Sequence, residues 1–225
     1  MVSTPRIIAA AALLGLGLGA VAVYVTGGPD GNNAPGRAET PVVSQADAAA
    51  CAAKTGPAQA IGVAATGEVA AMLPADPPQS LKTLAFDAPD GSPTTLGAFS
   101  GKTLLVNLWA TWCAPCREEM PALDQLQREL GGEKFEVVAV NVDAGSDEKP
   151  KKFLAETGIR SLAYYRDASL GLFNDLKRRG LALGLPVTLL VDKEGCLIAH
   201  MNGPAKWASD DARRLVGMAL GKPSS

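Results

Sequence analysis

Thr103-Leu104-Leu105-Val106-Asn107-Leu108-Trp109-Ala110 runs directly into Thr111-Trp112-Cys113-Ala114-Pro115-Cys116. The first part is an almost unbroken apolar run of strand length. Such a run suits a strand covered on both faces of a sheet, which requires helices on both sides. From the cysteine pair onward the chain reads as a helix to about Leu130. Met120, Leu123, Leu126, Gln127 and Leu130 fall on one largely apolar face at the 3–4 spacing of a helix. Pro121 interrupts that pattern and predicts a kink. Cys113 therefore stands where a buried strand hands over to a helix.

Outward from this stretch, strand and helix alternate. Phe135 to Val142 reads as a strand, Ser146 to Thr157 as a helix and Leu162 to Tyr165 as a short strand. A helix over Ser169 to Arg179 comes next, then a strand at Val187 to Val191. Lys193-Glu194-Gly195 turns into a paired strand at Cys196 to Ala199, and a last helix is expected over 206–220. Upstream, Leu84-Ala85-Phe86 and Thr94-Thr95-Leu96 flank Pro89-Asp90-Gly91-Ser92 as a small hairpin. The fold class is α/β, with a central mixed β-sheet flanked by helices.

Before this domain lie three other stretches. Ile7 to Val25 carries no charge, and as a helix it would span roughly 28 Å, close to the thickness of a bilayer core. Arg6 precedes the run while Asp30 and Glu39 come after it, an order that places the N-terminus inside and exports the rest. The segment 1–25 reads as a membrane anchor, with a cleaved signal ending near Ala20-Val21-Ala22 as the alternative. Residues 26–43, rich in Gly, Pro and Asn, read as a flexible tether. Residues 44–79 form an alanine-rich N-terminal helical extension, broken near Gly56-Pro57 and ended by Pro74, Pro77 and Pro78. The domain proper is 80–221.

The chain has 225 residues, a net charge of −2, 47% hydrophobic residues and four cysteines. That balance lacks the basic footprint of a nucleic-acid binder, is too apolar for a disordered chain and too poor in cysteine for a disulfide-dense miniature fold. Cysteines two residues apart serve as half a zinc site, a haem attachment or a cycling dithiol. Zinc would need two further ligands, and Cys51, Cys196 and His200 offer no paired spacing. Haem attachment needs histidine where Arg117 stands. The dithiol reading has positive support, because a cysteine at a helix N-terminus meets unpaired N–H groups and the helix dipole, which stabilise its thiolate. Pro115 is tolerated in the first turn, where its missing amide has no intrahelical partner. No cofactor and no metal are expected.

Trp109 to Cys116 resembles the active-site stretch of the thioredoxin-like superfamily, and Arg117-Glu118-Glu119-Met120-Pro121-Ala122-Leu123 is similar to its TlpA/ResA branch of membrane-anchored thiol:disulfide oxidoreductases. Gly184-Leu185-Pro186-Val187-Thr188 matches the family's loop with a cis proline. Gly203-Pro204-Ala205-Lys206-Trp207-Ala208 resembles the C-terminal stretch of the TlpA-like members. The resemblance implies a thioredoxin-like fold over about residues 80–221. It implies Cys113 as nucleophile and Cys116 as resolving thiol, with Trp112, Leu185 and Pro186 holding the target. The alternative for Pro186 is a plain strand-entry proline.

The same resemblance implies that Glu119 is a partly buried acid handling protons for the dithiol, against the alternative of a solvated carboxylate beside Glu118. Asn107 occupies the position where many thioredoxins carry a buried aspartate, which makes Glu119 the substitute acceptor. Cys51 and Cys196 match the extra structural disulfide of the TlpA-like members, against the alternative of two unrelated buried thiols.

No charged residue stands between the two inner cysteines, so Cys113 is expected to be a weaker acid than the most oxidising relatives, whose thiol has a pKa of about 3.5, and the dithiol to donate electrons. The branch acts in the periplasm on cysteine-containing proteins, with the copper-site subunit or copper chaperone of cytochrome oxidase as implied targets. A membrane thiol-transferring protein is the implied electron donor, and the protein is expected to be a monomer. Cytochrome c maturation is the nearest alternative. A Sco-type copper protein is disfavoured by the two-residue gap. Lys177-Arg178-Arg179 reads as a solvated helix end, His200 as a surface strand residue and Trp207 as packing in the last helix.

Overall fold

The middle strand of the sheet, β4 (Thr103–Trp109), is buried at every position, as its unbroken apolar run demands. It lies between β5 (Phe135–Asn141), which runs parallel to it, and β7 (Val187–Val191), which runs antiparallel. The structure is a computed structural model and describes residues 43–222. Beyond β5 come β6 (Tyr165–Arg166), β2 (Ala85–Asp87) and β3 (Pro93–Thr95); beyond β7 come β8 (Leu197–Asn202) and β1 (Leu73–Pro74). The result is an eight-stranded mixed sheet in the order β1-β8-β7-β4-β5-β6-β2-β3.

The helices are α1 (Gln45–Ala52), α2 (Thr55–Ala64), α3 (Ala114–Leu130), α4 (Glu148–Glu156), α5 (Gly171–Arg178) and α6 (Asp210–Ala219). The α3 helix continues through Pro121 and turns Cys116, Met120, Leu123 and Leu126 inward.

Several boundaries differ from those the sequence suggests, each for a physical reason. The N-terminal break falls at Ala53-Lys54, not at Gly56-Pro57. Pro57 sits in the first turn of α2, where the amide it lacks would be unpaired anyway. The short strand starts at Tyr165, not Leu162. Asp124 Oδ1 accepts the amides of Arg160, Ser161 and Leu162 at 3.0, 2.6 and 3.1 Å, so a side chain holds this backbone instead of the sheet. The last helix begins at Asp210, capped by Ser209, whose Oγ accepts the Ala212 amide at 3.2 Å. That leaves Trp207 in the turn before the helix.

The extension upstream of residue 80 shares the sheet. Its β1 pairs with β8, setting Leu73 opposite His200, while α2 packs on β8 and α6. His200 is half-buried with an unpartnered Nδ1, not a free surface residue, and burial holds its pKa low. The anchor expected over 1–25, and the tether apart from Val43, lie outside the described residues. Among the described residues no helix is long and apolar enough to cross a membrane.

Candidate active site

At the end of β4 the chain turns sharply, and Asp143 fixes the turn. Its carboxylate accepts the Thr111 amide at 2.9 Å and the Thr111 hydroxyl at 3.1 Å, and it is held in turn by Asn141 Nδ2 at 2.9 Å. Asp143 escapes a reading of the sequence, because its only local signal is an acid directly after a buried strand. Cys113 then caps α3, and its Sγ accepts the Cys116 amide at 3.3 Å. This is the kind of donor that stabilises a thiolate at a helix start. Cys113 and Cys116 form a disulfide, with Cα atoms 5.3 Å apart. Cys113 is 6% exposed and Cys116 is sealed, so Cys113 is the more accessible of the two. Trp112 beside it is 68% exposed, whereas tryptophan is on average highly buried.

On the neighbouring strand Leu108 pairs with Val187, which brings the preceding Pro186 to the same end of the sheet as the dithiol. The Leu185–Pro186 peptide is cis, Pro186 is buried, and its carbonyl accepts the Gly203 amide at 2.9 Å. Leu185 is partly exposed and Leu183, two residues earlier, is 83% exposed.

Glu119 lies one helical turn beyond Cys116 and is only 4% exposed, so the side chain is buried, not solvated. Oε1 accepts Asn107 Nδ2 at 2.8 Å, while Oε2 accepts Trp207 Nε1 at 3.0 Å and the Ala205 amide at 3.2 Å. Burial pushes its pKa up to about 7, against the pull of those three donors. Asn107 also donates to Thr188 Oγ1 at 3.0 Å, and its own Oδ1 is buried without a partner. Trp207, expected to serve packing, is thus also a hydrogen-bond donor to the acid beside the dithiol.

Far from this centre, Cys51 and Cys196 form the second disulfide, both 1% exposed. It joins α1 to the residue before β8. Beside it Lys54 is ion-paired with Asp192 and Glu194. Arg179, from the basic cluster, donates to Asp175 Oδ2 at 2.9 Å and reaches the Ser80 carbonyl at 3.3 Å, so that residue ties α5 to the sheet side.

The Thioredoxin-like protein YneN of Bacillus subtilis is 37% identical over 54% of this chain and 65% of its own length. The match therefore spans slightly less than two thirds of that relative. The Thiol:disulfide interchange protein CycY of Rhizobium leguminosarum is 33% identical over 58% of this chain and 67% of its own. A crystal structure of a thiol:disulfide interchange protein of the thioredoxin family from Chlorobium tepidum superposes with a TM-score of 0.54. It is 29% identical and covers 64% of this chain and 97% of that one. The fold is thioredoxin-like. The Redoxin family profile matches residues 75–216, well over half the chain, and on that breadth of agreement the chain belongs to the Redoxin family.

Proposed function

We propose that the protein is an extracytoplasmic thiol:disulfide oxidoreductase that reduces disulfides in other proteins. The observation that carries this reading is the Cys113–Cys116 bond at the start of α3 with a buried Glu119 one turn further on. In the reduced protein, Cys113 as thiolate attacks one sulfur of the target disulfide, and the other target sulfur leaves as a thiolate. Cys116 loses its proton to Glu119, attacks Cys113 Sγ and expels the target as a dithiol, restoring the Cys113–Cys116 disulfide. The two electrons pass to the target. An acid with a pKa of about 7 takes and returns a proton easily at neutral pH. The exposed Trp112 and Leu183, with Leu185 and the backbone beside Pro186, form the surface that receives the target.

The uncharged Ala114 and Pro115 favour electron donation, because no cation between the cysteines over-stabilises the thiolate. The apolar run in residues 1–25 supports anchorage in the inner membrane with the domain 80–221 in the periplasm, where a membrane thiol-transferring protein re-reduces it. The resemblance to the TlpA-like branch points to cytochrome oxidase assembly, with the copper-site subunit or its copper chaperone as target.

The test is capture with Cys116→Ser, which stalls the mixed disulfide. Covalent recovery of a copper-site protein is the expected result, whereas recovery of apocytochrome c would move the assignment to cytochrome c maturation. Pre-reduced protein that opens no disulfide would sink the proposal.

A further inference from the structure

Glu119 receives its bonds from two directions. Asn107 reaches Oε1 from β4, whereas both donors to Oε2, the Ala205 amide and the Trp207 indole, belong to the turn between β8 and α6. The same turn is tied to the target-binding loop through the Gly203 amide on the Pro186 carbonyl. Trp207 is fully buried, so its ring is held in place by packing. An indole N–H can only donate. It therefore favours the carboxylate over the neutral acid.

We infer that Trp207 is a positioning residue for the reaction: its indole N–H holds the Glu119 carboxylate and so sets the pH at which the dithiol's proton acceptor becomes available. The inference rests on Glu119 being that acceptor. The other charged groups around Glu119 are poorly placed for this task. Glu118, Glu68 and Lys206 line, with Glu119, a cavity of about 350 Å³. Lys206 and Glu68 are ion-paired at 2.8 Å, and both are exposed. Cys113, which caps α3, and Cys116, within it, are joined in the oxidised protein.

The experiment tracks the Glu119 carboxyl carbon by ¹³C NMR across pH in the oxidised protein, where no inner thiol titrates. Trp207→Phe keeps the aromatic bulk and removes the N–H, so the midpoint should rise by about one pH unit. Loss of stability with an unmoved or lowered midpoint would mean that Trp207 only fills space, and would overturn the inference. A measurement without substitution protects the test if the variant does not fold. In the native protein the Trp207 indole ¹⁵N–H signal should titrate with the same midpoint as the carboxyl, and a signal indifferent to that titration overturns the inference equally.

In reduced protein, the pH profile of Cys116 reactivity, measured as the rate of mixed-disulfide resolution, should move upward with the carboxyl midpoint. A carboxyl shift with a static resolution profile overturns the reading of Glu119 as acceptor, and with it the part of Trp207 in the reaction, while leaving the bond between them standing.

Discussion

Cys113 and Cys116 are bonded across a sequence separation of 3, whereas Cys51 and Cys196 are bonded across 145. Opening the first bond frees almost no chain, because β4 and α3 hold both residues in place. Opening the second releases a constraint on nearly the whole domain, about 5 kcal/mol in the chain-entropy model. Access differs in the same sense. Cys113 is the more exposed sulfur of its pair and stands beside the bare indole of Trp112, while both outer cysteines are 1% exposed under α1 and the turn before β8. One covalent bond is thus suited to chemistry and the other to holding the fold, and short loop and accessible sulfur go together.

The largest expected effects break this contrast directly. Cys113→Ser should lower disulfide exchange more than about a thousandfold, measured by reduction of insulin, with little change in the unfolding midpoint. The paired Cys51→Ser, Cys196→Ser variant should do the reverse, losing about 2–5 kcal/mol in denaturant titration while exchange stays near the native rate. The inner couple should also equilibrate with glutathione buffers well below the oxidising extreme of about −120 mV. Equal sensitivity of both bonds to reductant would erase the distinction.

Glu119→Gln comes next. Exchange at neutral pH should slow by about a hundredfold, and the pH-rate profile should lose its limb near 7. Stability should respond as well. The folded protein keeps its Glu119 proton up to about pH 7, while the unfolded chain releases it near 4.5. Stability due to this group is therefore fully present below about 4.5 and declines as pH rises through 7, by on the order of 3 kcal/mol for a group this well buried. The glutamine variant should flatten that decline in unfolding titrations at a series of pH values.

Smaller effects sharpen the comparison. Trp112→Ala should reduce kcat/KM for a protein disulfide roughly fivefold, about 1 kcal/mol, and leave the rate with a small disulfide unchanged. Lys54→Met, beside the outer bond, removes partly solvated ion pairs and should cost about 1 kcal/mol or less without touching exchange.

Much of this arrangement is legible in the sequence wherever local pattern and tertiary environment agree. The apolar run of β4 is one such place, as is the 3–4 periodicity of α3 leading from Cys113. Asn107 stands out only through the resemblance, as an amide within a largely apolar strand. Legibility fails where a distant side chain decides the backbone. Nothing around Leu162 reveals that Asp124, on another element, collects its amide. The two-residue strand at Leu73–Pro74 has no alternation long enough to notice, and it exists because β8 presents an open edge. Trp207 is similar: its periodicity fits the last helix, yet Ser209 starts that helix later and frees the indole for Glu119. The Glu119 environment itself requires donors from residues 107, 205 and 207 at once, a convergence only the folded chain displays.

The spacing of the two bonds also bears on how the protein is made. Four cysteines permit three pairings. The near neighbours meet by closing the smallest loop in the set, and once they have done so the remaining two have only each other. Pairing by distance along the backbone thus leads to the observed arrangement whenever the inner bond closes first.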